Sequence, residues 1–118
     1  MDKNPLIFLD HILESIELIE QYTSGKIKGD FLNVVELQDK VVRRLEIIGE
    51  AVRNLSKTLK TDYPDIPWKK IAGMRDVLIH EYFGIDLELT WRAIKSDIPK
   101  LKRKVLEIKE DLSKTKRQ

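Results

Sequence analysis

Four residues in one eight-residue stretch, Arg75-Asp76-Val77-Leu78-Ile79-His80-Glu81-Tyr82, carry groups that could act together on a phosphate ester. The planar guanidinium of Arg75 matches phosphate oxygens in pairs. His80 carries an imidazole, which can take up and release a proton near neutral pH. Asp76 precedes His80 by four residues, the separation at which two side chains meet on a helix surface. A carboxylate there would fix the imidazole tautomer and raise its pKa. Tyr82 adds a phenol. A structural reading stands beside this one. Arg75 could be a buried cation paired with Glu46 or Glu50, and a His beside an Asp is often no more than a surface hydrogen bond. An unpaired buried charge would cost several kcal/mol.

Other chemistries have less support in the residues. The chain has no cysteine, which removes a thiolate nucleophile, a disulfide framework and a cysteine-based zinc site. Its two histidines, His11 and His80, form no His-x-x-x-His pair, so no metal site and no cofactor are expected. The five glycines are scattered singly, unlike a phosphate-cradling loop. His11 lacks polar company and is expected at the solvent or at the core edge.

The elements that must position these groups read as helices. Over residues 68–82, Trp68, Ile71, Ala72, Leu78, Ile79 and Tyr82 fall on one stripe, and Arg75 sits at its centre where a leucine would belong. The spacing predicts a helix from Pro67-Trp68 to Tyr82 or Phe83, stopped by Gly84. A first helix is expected from the Asn4 cap and Pro5 to Thr23-Ser24-Gly25, with Leu9, Ile12, Leu13, Ile16 and Ile19 as its core face. Gly29-Asp30 would close the turn that follows. A long second helix is predicted from Asn33 to Leu59, packing through Leu37, Val41, Leu45, Ile48, Val52, Leu55 and Leu59. Gly49 lies in its middle, where it costs about 1 kcal/mol relative to Ala. Such a position suits the close approach of a helix or ligand. A short helix over about 86–96 is capped by Asp86. The last runs from Ile98 through Leu101, Val105 and Ile108 to Leu112, capped by Ser96 or Asp97, and residues 113–118 are expected to fray. No strand pattern appears. The fold class is therefore all-α, an antiparallel up-and-down four-helix bundle with one additional short helix.

At 118 residues, one domain spanning 1–118 is expected. No apolar run reaches the ~20 residues that cross a bilayer, and acids interrupt the apolar N-terminal stretch. The expectation is a cytoplasmic protein with no membrane contact. Residues 100–118 hold eight Lys/Arg against three Asp/Glu, within a net charge of +2 for the chain. That basic end could approach nucleic acid, or it could be a solvated helix end favoured by the helix dipole.

The motif Arg75-x4-His80-x-Tyr82 resembles that of the HepT-like toxins of the HEPN superfamily. RRLEIIGEAVRNLS, residues 43–56, is similar to that family's second-helix motif. PWKKIAGMRDVLIHEYFGIDLELTW, residues 67–91, is similar to its third-helix block. The likeness extends over about residues 5–112. It implies a homodimeric helical bundle with the active site in a cleft between two third helices. It further implies a metal-independent endoribonuclease acting on RNA, with Arg75 and His80 catalytic. The partner would be an MntA-type nucleotidyltransferase antitoxin, which silences such toxins by transferring AMP to the tyrosine matching Tyr82. In this chemistry the 2′-hydroxyl of RNA serves as nucleophile, His80 moves the proton and Arg75 offsets the growing charge. The residue after the motif arginine is often Asn in the family and is Asp76 here. Either Asp76 orients His80, or its charge repels phosphate and lowers activity. Two alternatives follow: a non-catalytic AMP acceptor for the nucleotidyltransferase, or a purely structural dimer.

Overall fold

Asn4 opens the first helix, α1 (Pro5–Thr23), by accepting the Leu6 N–H at 3.0 Å, with Pro5 in the first helical position. It ends where Gly25 takes a φ of 71°, a conformation that favours glycine. These are the predicted bounds. The computed structural model describes residues 4–74, 79, 80 and 84–116, with side chains for 4–74 and 86–114.

The predicted second helix, Asn33 to Leu59, is two helices, and a further short helix precedes it where a turn is expected. The Asp30 carboxylate accepts the Ile27 N–H at 2.9 Å and starts α2 (Lys28–Asn33), so Gly29 and Asp30 lie inside a helix instead of closing a turn. Val34 is extended, and α3 (Val35–Asn54) begins beyond it. Leu55 is extended in turn. Ser56 then accepts the Leu59 N–H at 3.1 Å and caps α4 (Lys57–Asp62). Asp30 at the start of α2 and Ser56 at the start of α4 are each a short side chain that captures a backbone donor and so starts a helix, while α3 follows Val34 with no side-chain cap. The apolar periodicity survives the breaks, because Leu37, Val41, Leu45, Ile48, Val52, Leu55 and Leu59 are all buried.

The predicted third helix is corrected more strongly. The helix α5 is only Trp68–Ala72. Gly73 caps it with φ −91° and ψ 7°, its N–H donating to Lys69 O at 2.9 Å. Further on, β1 (Ile79–His80) pairs antiparallel with β2 (Gly84–Ile85), in the register Ile79↔Ile85 and His80↔Gly84. Gly84 is thus a ladder partner and not a helix stop. Gly73 weakens helical continuation, Met74 is helical again beyond it, and β-branched Ile79 and Ile85 suit a ladder, so the predicted helix does not reach His80. Residues 75–78 and 81–83, and with them Arg75, Asp76, Leu78 and Tyr82, lie outside the described residues.

Asp86 accepts the Leu89 N–H at 3.0 Å and caps α6 (Leu87–Arg92), as predicted. The last helix does not start afresh at Ser96 or Asp97. A π-helical turn over Ala93–Asp97 carries α6 into α7 (Ile98–Lys116). Pro99 has no N–H for the Lys95 carbonyl and its ring crowds that carbonyl, so the wider turn ahead of it relieves the clash. At its far end α7 passes Leu112 and continues to Lys116, with Lys114 and Glu110 paired at 3.6 Å across the last turns.

The core joins Leu9, Ile12, Ile16 and Ile19 of α1, the α3 row, and Ile98, Leu101, Val105 and Ile108 of α7. Each such side chain contributes about 1.5–3 kcal/mol by leaving water. Lys102–Glu20 at 2.9 Å and Lys109–Asp10 at 2.6 Å show α7 antiparallel to α1. The architecture is an all-α bundle of three long helices, α1, α3 and α7, with α5 as a short fourth member. Among the described residues its only strand pairing is the two-residue ladder.

Candidate active site

Two anchors fix the approach to the motif. Trp68, at the start of α5, is buried, and its indole N–H donates to Lys60 O and Tyr63 O, both at 3.0 Å. The Tyr63 hydroxyl donates to Asp111 Oδ2 at 2.7 Å, tying the α4–α5 connection to α7. Burial, helped by the Asp111 carboxylate, pushes the Tyr63 phenol up to about 12. Its neutral form is therefore the folded form. A folded pKa above the unfolded value near 10 gives stability that is complete below pH ~10 and is lost as pH rises toward 12. Denaturant midpoints taken from pH 9 to 12 should fall more steeply in the wild type than in Tyr63→Phe. Parallel curves would contradict this assignment.

The second fixture is Gly49. A Cβ at this position would lie 3.1 Å from Ala72 O and 3.5 Å from Ile71 O, the backbone of the last turn of α5. The close approach expected at Gly49 is thus to a helix. Beside this contact a cleft of about 430 Å³ opens between α1 and α3, with Ala72 on its wall. Arg43, Glu46, Glu50 and Arg53 line it from α3, and His11 lines it from α1. Glu50 and Arg53 lie 3.8 Å apart. Both carboxylates offered by the sequence as partners for Arg75 therefore stand at the end of α5, two residues before Met74 leads into the motif.

Of the predicted site residues, Arg75, Asp76 and Tyr82 fall outside the described residues. His80 is placed by its backbone alone, opposite Gly84. His11 is exposed, with its ring edge-on to Phe8 at a centroid distance of 6.5 Å. Sequence reasoning set it aside, although it lines the cleft at the motif's approach. Arg43 and Asn54 were also passed over. They stand eleven residues apart, three helical turns, and that spacing alone puts them on one face of α3. Among the described residues no group of three or more His, Asp and Glu is placed to hold a metal ion. None of the described helices is long and apolar enough to cross a membrane.

The family model described as ribonuclease HepT-like matches residues 12–108, a span that runs from α1 through the motif and into α7. The chain belongs to the ribonuclease HepT-like family. It is 48% identical over 97 residues to a protein of Thermococcus cleftensis named probable ribonuclease HepT, covering 82% of this chain and 88% of that one. A putative RNase of Caldanaerobacter subterraneus is 45% identical over 106 residues, 90% of this chain and 95% of its own. A Methanocaldococcus jannaschii protein named gamma-glutamylcyclotransferase and putative RNase is 56% identical over 116 residues, 98% of this chain. The chain spans only 52% of that relative's length. No solved structure matches the chain significantly.

Proposed function

We propose that this HepT-like chain, folded as one domain over 1–118, is a metal-independent endoribonuclease whose catalytic residues are Arg75 and His80. The family match across residues 12–108, which encloses the whole Arg75-x4-His80-x-Tyr82 motif, carries this reading. The 2′-hydroxyl attacks the adjacent phosphorus, and the bond from phosphorus to the 5′ oxygen breaks. The products end in a 2′,3′-cyclic phosphate and a 5′-hydroxyl. His80 handles the proton that leaves the 2′-hydroxyl and the one that reaches the departing 5′ oxygen. Arg75 holds the non-bridging oxygens as charge builds on them. Asp76 positions the imidazole. A homodimer brings two such sets together across its two-fold axis, with the RNA in the cleft between them.

Regulation in this reading is covalent. A nucleotidyltransferase antitoxin of the MntA type transfers AMP from ATP to the Tyr82 hydroxyl, releasing pyrophosphate. The attached AMP places bulk and negative charge where RNA phosphate must bind. The system acts in the cytoplasm. Asp76, where the family often has Asn, favours a second reading: the chain serves its partner as an AMP acceptor without cutting RNA.

One experiment separates the two. Purified protein in EDTA should cut single-stranded RNA to cyclic-phosphate ends. After incubation with the nucleotidyltransferase and ATP, its intact mass should rise by whole AMP units and cleavage should cease, both changes being lost in Tyr82→Phe. Uncut RNA alongside normal AMP addition would support the second reading. Uncut RNA with no AMP addition would remove both.

A further inference from the structure

A seam on the other side of α5 from the α1–α3 cleft has a different charge balance. It runs between α5 and the continuous α6–π-turn–α7 helix as two adjoining hollows of about 220 and 210 Å³. The first includes Met74, the last described residue before Arg75, and Asp97 lies in both hollows. Lys70, Arg92, Lys100, Arg103 and Lys104 line the seam against the carboxylates of Asp97 and Asp65. Five cations therefore meet two anions. In the α1–α3 cleft, by contrast, Arg43 and Arg53 are matched by Glu46 and Glu50.

The cations of the seam fall into two groups. Lys104 is held by Asp65 at 2.5 Å and faces Glu107 at 3.7 Å, while Lys70 pairs with Asp97 at 3.4 Å. Arg92, Lys100 and Arg103 are exposed and make no ion pair among the described residues. This also divides the basic end of the sequence. Lys102, Lys109 and Lys114 are engaged by Glu20, Asp10 and Glu110, so Lys100 and Arg103 are the cations of that helix left facing the seam. From Arg92 to Lys104 the helix rises about 18 Å at 1.5 Å per residue. The seam's lining holds no aromatic side chain, and the nearby Trp91 is occupied by Phe31 at 5.6 Å and Lys95 at 4.7 Å. A basic track without stacking platforms recognises phosphates and not bases.

We infer that the seam between α5 and the α6–α7 helix binds the sugar-phosphate backbone of single-stranded RNA on its way to the motif, through Arg92, Lys100 and Arg103. This rests on the ribonuclease reading and adds to it a binding surface outside the motif, indifferent to base sequence.

The test uses full-length protein and a labelled single-stranded RNA of about twelve nucleotides, within the usual site sizes for such surfaces. The RNA is 2′-O-methylated throughout so that it cannot be cut. Anisotropy titrations at several salt concentrations compare the wild type with Arg92→Gln, with Lys100→Gln/Arg103→Gln, and with Lys57→Gln on exposed α4. The double variant should bind about tenfold more weakly, and its log–log salt slope should be shallower by about 1.4, or about 0.7 for each phosphate no longer neutralised. Arg92→Gln should show about half that change in slope, and Lys57→Gln should match the wild type. On cleavable RNA, KM should rise in the double variant with kcat unchanged. Wild-type affinity in the double variant, or an assembly mass changed by it in light scattering, would overturn the assignment; the latter would make the seam a subunit interface. If wild-type protein cuts RNA while the seam variants bind normally, only the seam falls. If it neither cuts nor binds RNA, the ribonuclease reading falls with it.

Discussion

Replacing His80 with alanine should reduce RNA cleavage by about 10²–10⁴-fold, the usual worth of a positioned acid–base group. Arg75→Ala should cost about 10²–10³-fold, comparable to removing one donor from an oxyanion site. The two act on one transition state, so the double variant should lose little more than the worse single one. Initial rates in EDTA on an unstructured RNA measure all three, with circular dichroism to show that the helices persist. The same variants separate catalysis from mere ion pairing. If Arg75 only balances a carboxylate such as Glu46 or Glu50, Arg75→Met should be neutral or stabilising, with its cleavage rate untouched. If Arg75 holds phosphate, Arg75→Met should cut poorly however stable it is. An unaltered rate in His80→Ala would end the proposed mechanism outright.

Why the helices were legible and the motif's local structure was not follows from two kinds of signal. The core rows of α1, α3 and α7 are long, and burial enforces them: every residue assigned to the first two rows is buried. Periodicity reads such rows well because burying each member is worth more than any local preference. The break at Leu55 is followed by a single capping side chain, Ser56, and α2 is opened by another, Asp30, each worth about 1 kcal/mol, while Val34 breaks the chain with no side-chain cap. That is enough to redirect an axis and too little to disturb an apolar pattern. The π-turn before Pro99 belongs to the same class of local correction. The motif segment is the reverse case. Its stripe of Trp68, Ile71 and Ala72 is helical in the structure, but Gly73 ends that helix and Ile79–His80 pair with Gly84–Ile85. The half of the stripe centred on Arg75 lies outside the described residues, and at its far end Ile79 and Ile85 take a ladder that β-branched residues suit. The residues of the proposed site stood out in the sequence because Arg, His and Tyr announce their chemistry. His11 and the seam cations were not, because only the packing of α1 on α3 and of α5 on α7 brings them beside the motif's approach.

That dependence of the site on packing leads to the second large effect, at a residue with no chemistry of its own. Gly49→Leu should lower RNA cleavage by about 10²-fold while leaving the helices in place. A Cβ at this position already lies 3.1 Å from Ala72 O, and the atom it meets is backbone, which cannot rotate away. Three further carbons must therefore move α5 or α3. The α3 residues around Gly49 are locked, since Ile48 and Val52 are fully buried in the main core. The five-residue α5 is the easier one to move, although Trp68 still holds its start through Lys60 O and Tyr63 O. Its far end, from Ala72 to the buried Met74, takes the displacement and passes it to the residue that follows, Arg75. Misplacing a catalytic group by about 1 Å can cost 10²-fold in rate, whereas overpacking of this kind costs only about 1–3 kcal/mol in stability. Gly49→Ala, with one carbon at the same contact, should show a smaller loss of rate and little loss of stability, because the alanine recovers up to about 1 kcal/mol of helix preference. Thermal melts and cleavage rates on the two variants should therefore separate, with rate falling much further than stability from Gly to Ala to Leu. Equal losses in both would mean that Gly49 serves the fold alone, and an unchanged rate in Gly49→Leu would mean that α5 does not position the motif.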